Sequence, residues 1–184
     1  TQMKIKVGLL GLGRYRNALV EGMVSCGNLA EQDLIVFDTN HVKARQFHKR
    51  HPLCLTTDDE RDLVLRSDVV IVGHITQCLL GLMTSKEKKV ICTLRKKVFI
   101  SIDGLLSQPN PNTYRIVHIL NNYATMVSRG VIAIHLPKPW DKERKTVSLV
   151  RKLFNNVGTL IFVKCLGDIF SIRMTAGSGI GLAL

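Results

Sequence analysis

Three features of the sequence predict an α/β protein: a Rossmann-like, mostly parallel sheet with helices on both faces. Short, nearly continuous apolar runs alternate with amphipathic segments, as right-handed βαβ units require. The first run ends in Gly11-Leu12-Gly13, and a helical period begins directly behind it. The second run ends on Asp38, roughly 20 residues beyond that turn, as a nucleotide-binding βαβ unit would have it.

The elements follow in order. Lys4 to Leu10 reads as a strand buried on both faces. Tyr15, Ala18, Leu19, Gly22, Met23 and Cys26 then fall on one helical face, and Gly27-Asn28 supplies the stop. "DLIVFD" is a second strand, and helical composition runs from His41 to about Arg50. Asp58 or Asp59 caps a short helix. "SDVVIVG" is a third strand, with Thr76 placed to cap the helix after it. "VFISI" is a strand ending at Asp103-Gly104, and "SQPNPNTY" is the one turn-rich stretch. "RIVHIL" and "VIAIHL" are two more strands. A helix is expected from Asp141 to Val157, with Val147, Val150, Leu153, Phe154 and Val157 inward. "TLIFVK" is the last strand, and "GDIFSIRMTAGSGIGLAL" begins as a helix.

The 184 residues suit one large domain, or one domain and a fragment. A hydrophobic content of 46% supports a packed core and argues against disorder. No apolar run has the length of a membrane span, and "TQMKIKVGLL" lacks a signal-peptide layout, so a cytoplasmic location is expected. The five cysteines are scattered without a CxxC pair and read as buried thiols, not a disulfide frame. A net charge of +12 favours an anionic partner: nucleotide phosphate, nucleic acid or a carboxylate. The basic runs "HVKARQFHKRH", "KEKKVICTLRKK" and "KPWDKERKTVSLVRK" read as solvated helix faces. Aromatic residues make up only 5% and do not interleave with these runs, which argues against a nucleic-acid platform.

Ligands on such sheets bind beyond the carboxyl ends of the strands. A glycine at the first turn permits the tight bend, and a second lets the backbone approach a diphosphate resting on the helix N-terminus. Leu10, Gly11, Leu12, Gly13, Arg14 and Tyr15 are therefore candidate cofactor contacts, with NADP or NAD as the expected cofactor. Asp38 is the candidate ribose acceptor, and its carboxylate favours NAD over a 2′-phosphate. Thr39 and Asn40 lie beside it, with His41, Lys43 and Arg45 as further phosphate candidates. Gly73, His74 and Ile75 follow the third strand at the same edge. Arg16 is the anomaly: it stands where a third small residue normally lets helix and strand pack closely. It fits only if its stem lies along the surface and its head reaches solvent or phosphate.

Over essentially its whole length the chain resembles the pyrroline-5-carboxylate reductases. "VGLLGLGRYRNALVEGM" looks like that family's opening strand, turn and helix. "SDVVIVGHITQ" sits where the family has a strand and Ala-Val-Lys-Pro, and "VFISIDG" where it has Val-Ser-Ile-Ala-Ala-Gly. "RIVHILNNYATMVSRGVIAI" matches a stretch that usually carries Pro-Asn-Thr-Pro, and "MTAGSGIGLAL" the start of Ser-Gly-Ser-Gly-Pro-Ala-Tyr. The departures fall at ligand-facing positions. Arg16 replaces the small residue, Gly73-His74-Ile75-Thr76 replaces Ala-Val-Lys-Pro, and Asn122 alone survives of Pro-Asn-Thr-Pro.

The resemblance implies NAD(P)H-dependent reduction of a cyclic imine carboxylate, with Asn122, Gly177, Ser178 and Gly179 toward the substrate. It divides the chain into a dinucleotide-binding domain, residues 1–166, and the start of a truncated helical domain, residues 167–184. It also implies a homo-oligomer once the helical domain is supplied. No catalytic residue is assigned, because the cofactor carries the hydride and the protein supplies position and electrostatics. The eroded motifs leave an alternative open, a catalytically impaired dinucleotide-binding protein of the same fold. No metal site is expected: His48 and His51 lack a third ligand and read as a solvated helix end. His118 and His135 lie within apolar strands and are expected to make a core or strand-end hydrogen bond; His74 stands at the cofactor edge.

Overall fold

Val7–Leu10 is apolar apart from one glycine, and all four residues are buried, so β1 is a central strand. In the computed structural model, residues 5–102 and 114–172 are described. On one side β1 pairs in parallel with β2 (Leu34–Phe37), and β2 with the two-residue β3 (Leu55–Thr56). On its other side lies β4 (Val69–Val72), followed outward by β5 (Val98–Ile102) and β6 (Arg115–Asn121), all parallel. β7 (Gly130–His135) turns back antiparallel to β6, and β8 (Gly158–Val163) runs parallel to β7 at the edge. The eight-stranded order 3-2-1-4-5-6-7-8 reverses direction between β1 and β4, which opens a crevice at their carboxyl ends.

Helices cover both faces. α1 (Arg14–Ser25), α2 (His41–Arg50) and α6 (Arg144–Phe154) seal one core, where Leu19, Met23, Phe47, Leu153 and Phe154 meet the inward residues of β1, β5 and β6. α3 (Glu60–Arg66), α4 (Gln77–Met83) and α5 (Lys88–Arg95) seal the other, around Leu63, Leu79, Leu94 and Phe99. α7 (Leu166–Ile172) packs Ile169 against Leu120 and Ala133.

Local chemistry sets several boundaries. Of the two expected caps, Asp59 starts α3 by accepting from the Arg61 amide at 2.8 Å. Thr76 starts α4, accepting from the Leu79 amide at 3.0 Å while donating to the Glu60 carboxylate. Thr76→Ala is expected to cost about 1 kcal/mol, read as a fall of a few degrees in Tm; an unchanged Tm would show that the cap is dispensable.

Four expectations are corrected. The helix expected from Asp141 begins at Arg144, because Glu143 is extended and a separate 3-10 turn occupies Trp140–Lys142. It ends at Phe154, and Val157 is buried beyond it. His51 is no solvated helix end: it is 6% exposed, with Nδ1 2.9 Å from Glu31 and Nε2 2.9 Å from Glu21. The cysteines are all free, yet only Cys54 is fully buried, and Cys92 and Cys165 are exposed. Burial, reinforced by Glu31, pushes the Cys54 thiol up to about 11, which keeps it protonated. Asp103-Gly104 and most of the turn-rich stretch lie outside the described residues.

Candidate nucleotide site

The crevice is built from the ends of β1, β2 and β4. Gly11 adopts φ +81°, a left-handed conformation that favours glycine, and its amide donates to the Phe37 carbonyl at 2.7 Å. That bond ties the turn after β1 to the end of β2. Asp38 completes the tie. Its Oδ2 accepts from the Leu12 amide at 2.6 Å, and its Oδ1 accepts from the Asn40 amide at 2.7 Å. Both oxygens are thereby fixed in position, and each keeps acceptor capacity for a sugar hydroxyl. Asn40, a candidate contact, caps α2 by accepting from the Val42 and Lys43 amides. Thr39 beside it is exposed.

α1 opens on Gly13, and no side chain caps its first turn, so the amide-rich end of this twelve-residue helix faces the crevice. Its first turn carries no acidic residue. Arg14 and Tyr15 are exposed at its start, Leu10 is buried behind it, and Leu12 packs on the core. Across the crevice Gly73 is buried at the end of β4, His74 is exposed and Ile75 packs on the second core.

Arg16 departs from the expectation that its head reaches outward. The side chain folds back, and Nε donates to the Gly11 carbonyl at 2.7 Å. The guanidinium lies over the glycines themselves. A Cβ built on Gly13 would stand 2.7 Å from Nη2, and one on Gly73 only 1.4 Å from Nη1. Arg16 is therefore accommodated because Gly73 has no side chain. It fills the space above the glycine turn.

Asn122 lies beyond β6, where its Oδ1 accepts from the Val131 amide at 3.2 Å and braces β7. Its neighbour Asn121 stands at the first proline of the family's Pro-Asn-Thr-Pro, a departure to which the sequence attaches no role. Asn121 is 2% exposed; its Nδ2 donates to the Tyr15 carbonyl at 3.0 Å and to Thr125 Oγ1 at 3.1 Å, locking α1 to β6. Its Oδ1 is buried without a hydrogen-bond partner. The signal was there: Asn121 stands two residues past Ile119, on the face that packs toward α1. Gly177, Ser178 and Gly179 lie outside the described residues. Among the described residues no three His, Cys, Asp or Glu side chains group as metal ligands, and no helix is long and apolar enough to cross a membrane.

No family model matches the sequence, and neither does any curated protein. Solved structures do match in fold. A pyrroline-5-carboxylate reductase from Coxiella burnetii aligns with TM-score 0.74 and 20% identity, over 98% of this chain and 67% of that one. A Plasmodium falciparum pyrroline carboxylate reductase with NADP bound aligns with TM-score 0.70 and 19% identity, over 97% and 64%. An imine reductase from Myxococcus stipitatus in complex with NADP+ gives TM-score 0.61 and 15% identity, over 97% and 63%. The chain spans about two thirds of the length of these proteins. It therefore shares its fold with some two thirds of each of these reductase chains.

Proposed function

We propose that the chain is the dinucleotide-binding part of an NAD(P)-dependent oxidoreductase acting on a carbon–nitrogen double bond. The observation that carries this reading is the Asp38 carboxylate, fixed to the Leu12 amide beside the glycine turn at the point where strand order reverses. In this reading Asp38 accepts from a ribose hydroxyl, the first-turn amides of α1 hold the diphosphate, and Gly73, His74 and Ile75 flank the nicotinamide side. The bound cofactor supplies the hydride. The residues present fit such a group once the Arg16 side chain moves off Gly11 and Gly13. The finer proposal is a cyclic imine carboxylate as substrate, with Asn122 and Gly177–Gly179 toward it. Residues from 167 onward then begin a helical domain that completes the site in a homo-oligomer.

A second reading rests on Arg16: a nucleotide-binding protein of the same fold with impaired turnover, because a guanidinium occupies the diphosphate position. Calorimetric titration with NADH and NADPH, followed by a turnover assay with pyrroline-5-carboxylate, separates the two. NADH is expected to bind more tightly than NADPH, since Asp38 repels a 2′-phosphate, and to raise Tm. Cofactor oxidation then marks the reductase, and binding without oxidation the impaired protein. No binding of either nucleotide at millimolar concentration sinks both.

A further inference from the structure

Two of the three basic runs, which the nucleotide site leaves unused, converge in space. A cleft of about 1020 Å³ opens at the amino-terminal edge of the sheet, the end opposite Gly11 and Gly73. Its floor is apolar, formed by Ile5 ahead of β1, Val98 at the start of β5 and Leu149 of α6. One lip is the end of α5, with Arg95 and Lys96; the other is α6, with Arg144, Lys145 and Lys152. Arg115, at the start of β6, stands between them.

The cleft is electrostatically incomplete. Among the described residues Asp68 is the one carboxylate lining it, and that group already accepts from the Lys6 amide at 2.8 Å. Arg115 is neutralised: its Nε donates to both oxygens of Glu143, at 3.1 and 2.9 Å, while its Nη1 donates to the Arg95 carbonyl at 3.0 Å. Among the described residues the other five cations form no ion pair. All five are exposed and face one concave space from two helices. Arg144 and Lys145 also sit in the first turn of α6, where the helix dipole disfavours positive charge. An anion between the lips would relieve every one of these repulsions.

We propose that this cleft binds a small organic polyphosphate, with its phosphates along the Arg144–Lys145–Lys152 lip and its organic body on the Ile5–Val98–Leu149 floor. The volume stands at the top of the range of small-ligand pockets, roughly 300–1,000 Å³. The apolar floor offers nothing to an inorganic anion but suits a ring or chain. Among the described residues no aromatic side chain lines the cleft, so they offer the bases of a single strand no stacking platform.

The test is calorimetric titration of the chain with GTP and with inorganic tripolyphosphate, repeated in saturating NADH. GTP is expected to bind one to one, more tightly than tripolyphosphate, with an affinity that NADH leaves unchanged. Reversing two exposed charges, Lys145→Glu with Lys152→Glu, is expected to weaken both ligands by about tenfold or more at an unaltered Tm. Absence of saturable binding, or equal affinity in the double variant, overturns the proposal. So does competition by NADH, which would assign the GTP to the carboxyl edge. A single-stranded oligonucleotide that binds more tightly than GTP, and is lost in the same variant, would give the cleft to nucleic acid instead. The NADH titration stands apart from all of these, so the nucleotide site and the basic cleft succeed or fail separately.

Discussion

Arg16→Ala is expected to tighten NADH binding by about ten- to a hundredfold, measured as Kd in the calorimetric titration. The guanidinium covers the surfaces of Gly11, Gly13 and Gly73 that a diphosphate must approach. Binding therefore has to break the Nε bond to the Gly11 carbonyl. A hydrogen bond from a charged donor is worth about 1.5–3 kcal/mol, and that is the cost the alanine variant removes. The released arginine can recover part of this by turning onto the diphosphate, since charge-assisted bonds to phosphate are strong. Displacement sets the net sign, because the resting guanidinium lies against all three of Gly11, Gly13 and Gly73. A weaker Kd in the variant would reverse that sign and make Arg16 a phosphate ligand.

Gly73→Ala tests the same geometry from the opposite strand. The new methyl would stand 1.4 Å from Nη1, so the side chain must leave. Combined with Arg16→Ala it should add little, because both changes empty one space. The pair looks like an exchange of sizes. Where the resembling family has a small residue on the helix and alanine after the strand, this chain has an arginine and a glycine.

That exchange marks the boundary of what the sequence made legible. β1, β2, β4, β5 and β6 announced themselves because strands buried on both faces are written as nearly continuous apolar runs. The glycine turn and Asp38 were legible because their roles are fixed by a short local spacing. Asp59 and Thr76 were legible as caps because the cap bond spans only two or three residues. The two-residue β3 was not, since both residues are exposed and leave no pattern. Nor was the direction of Arg16: it depends on a missing Cβ in a different βαβ unit. His51 failed for the same reason, as its two carboxylates come from α1 and the turn before β2. The basic runs carried no sign that two of them would face each other across one cleft. Local chemistry was readable, whereas contacts set by the crossover connections were not.

Acidification from pH 6.5 to about 4 is expected to remove about 3 kcal/mol of stability through a single side chain, His118. This histidine is 4% exposed in β6, its ring stacked 6.0 Å from that of His135, and its Nδ1 has no hydrogen-bond partner. Burial first, and the neighbouring His135 second, push it down from 6.5 to about 4. In the unfolded chain the imidazole takes a proton below 6.5; in the folded chain it stays neutral until about 4. The unfolded state thus binds more protons throughout that window, so stability is complete above 6.5 and falls as the pH drops through it. Denaturant midpoints at pH 7, 5.5 and 4 read the loss directly. Carboxylates also titrate at the lower end, so the informative quantity is the difference from His118→Leu. That variant buries no imidazole and strands no ring nitrogen, so its stability at pH 7 should be held or slightly raised, with the slope above pH 5 flattened. If His118→Leu keeps the parental slope, the proton that unfolds the chain is being taken up elsewhere, and the histidine pair is inert packing.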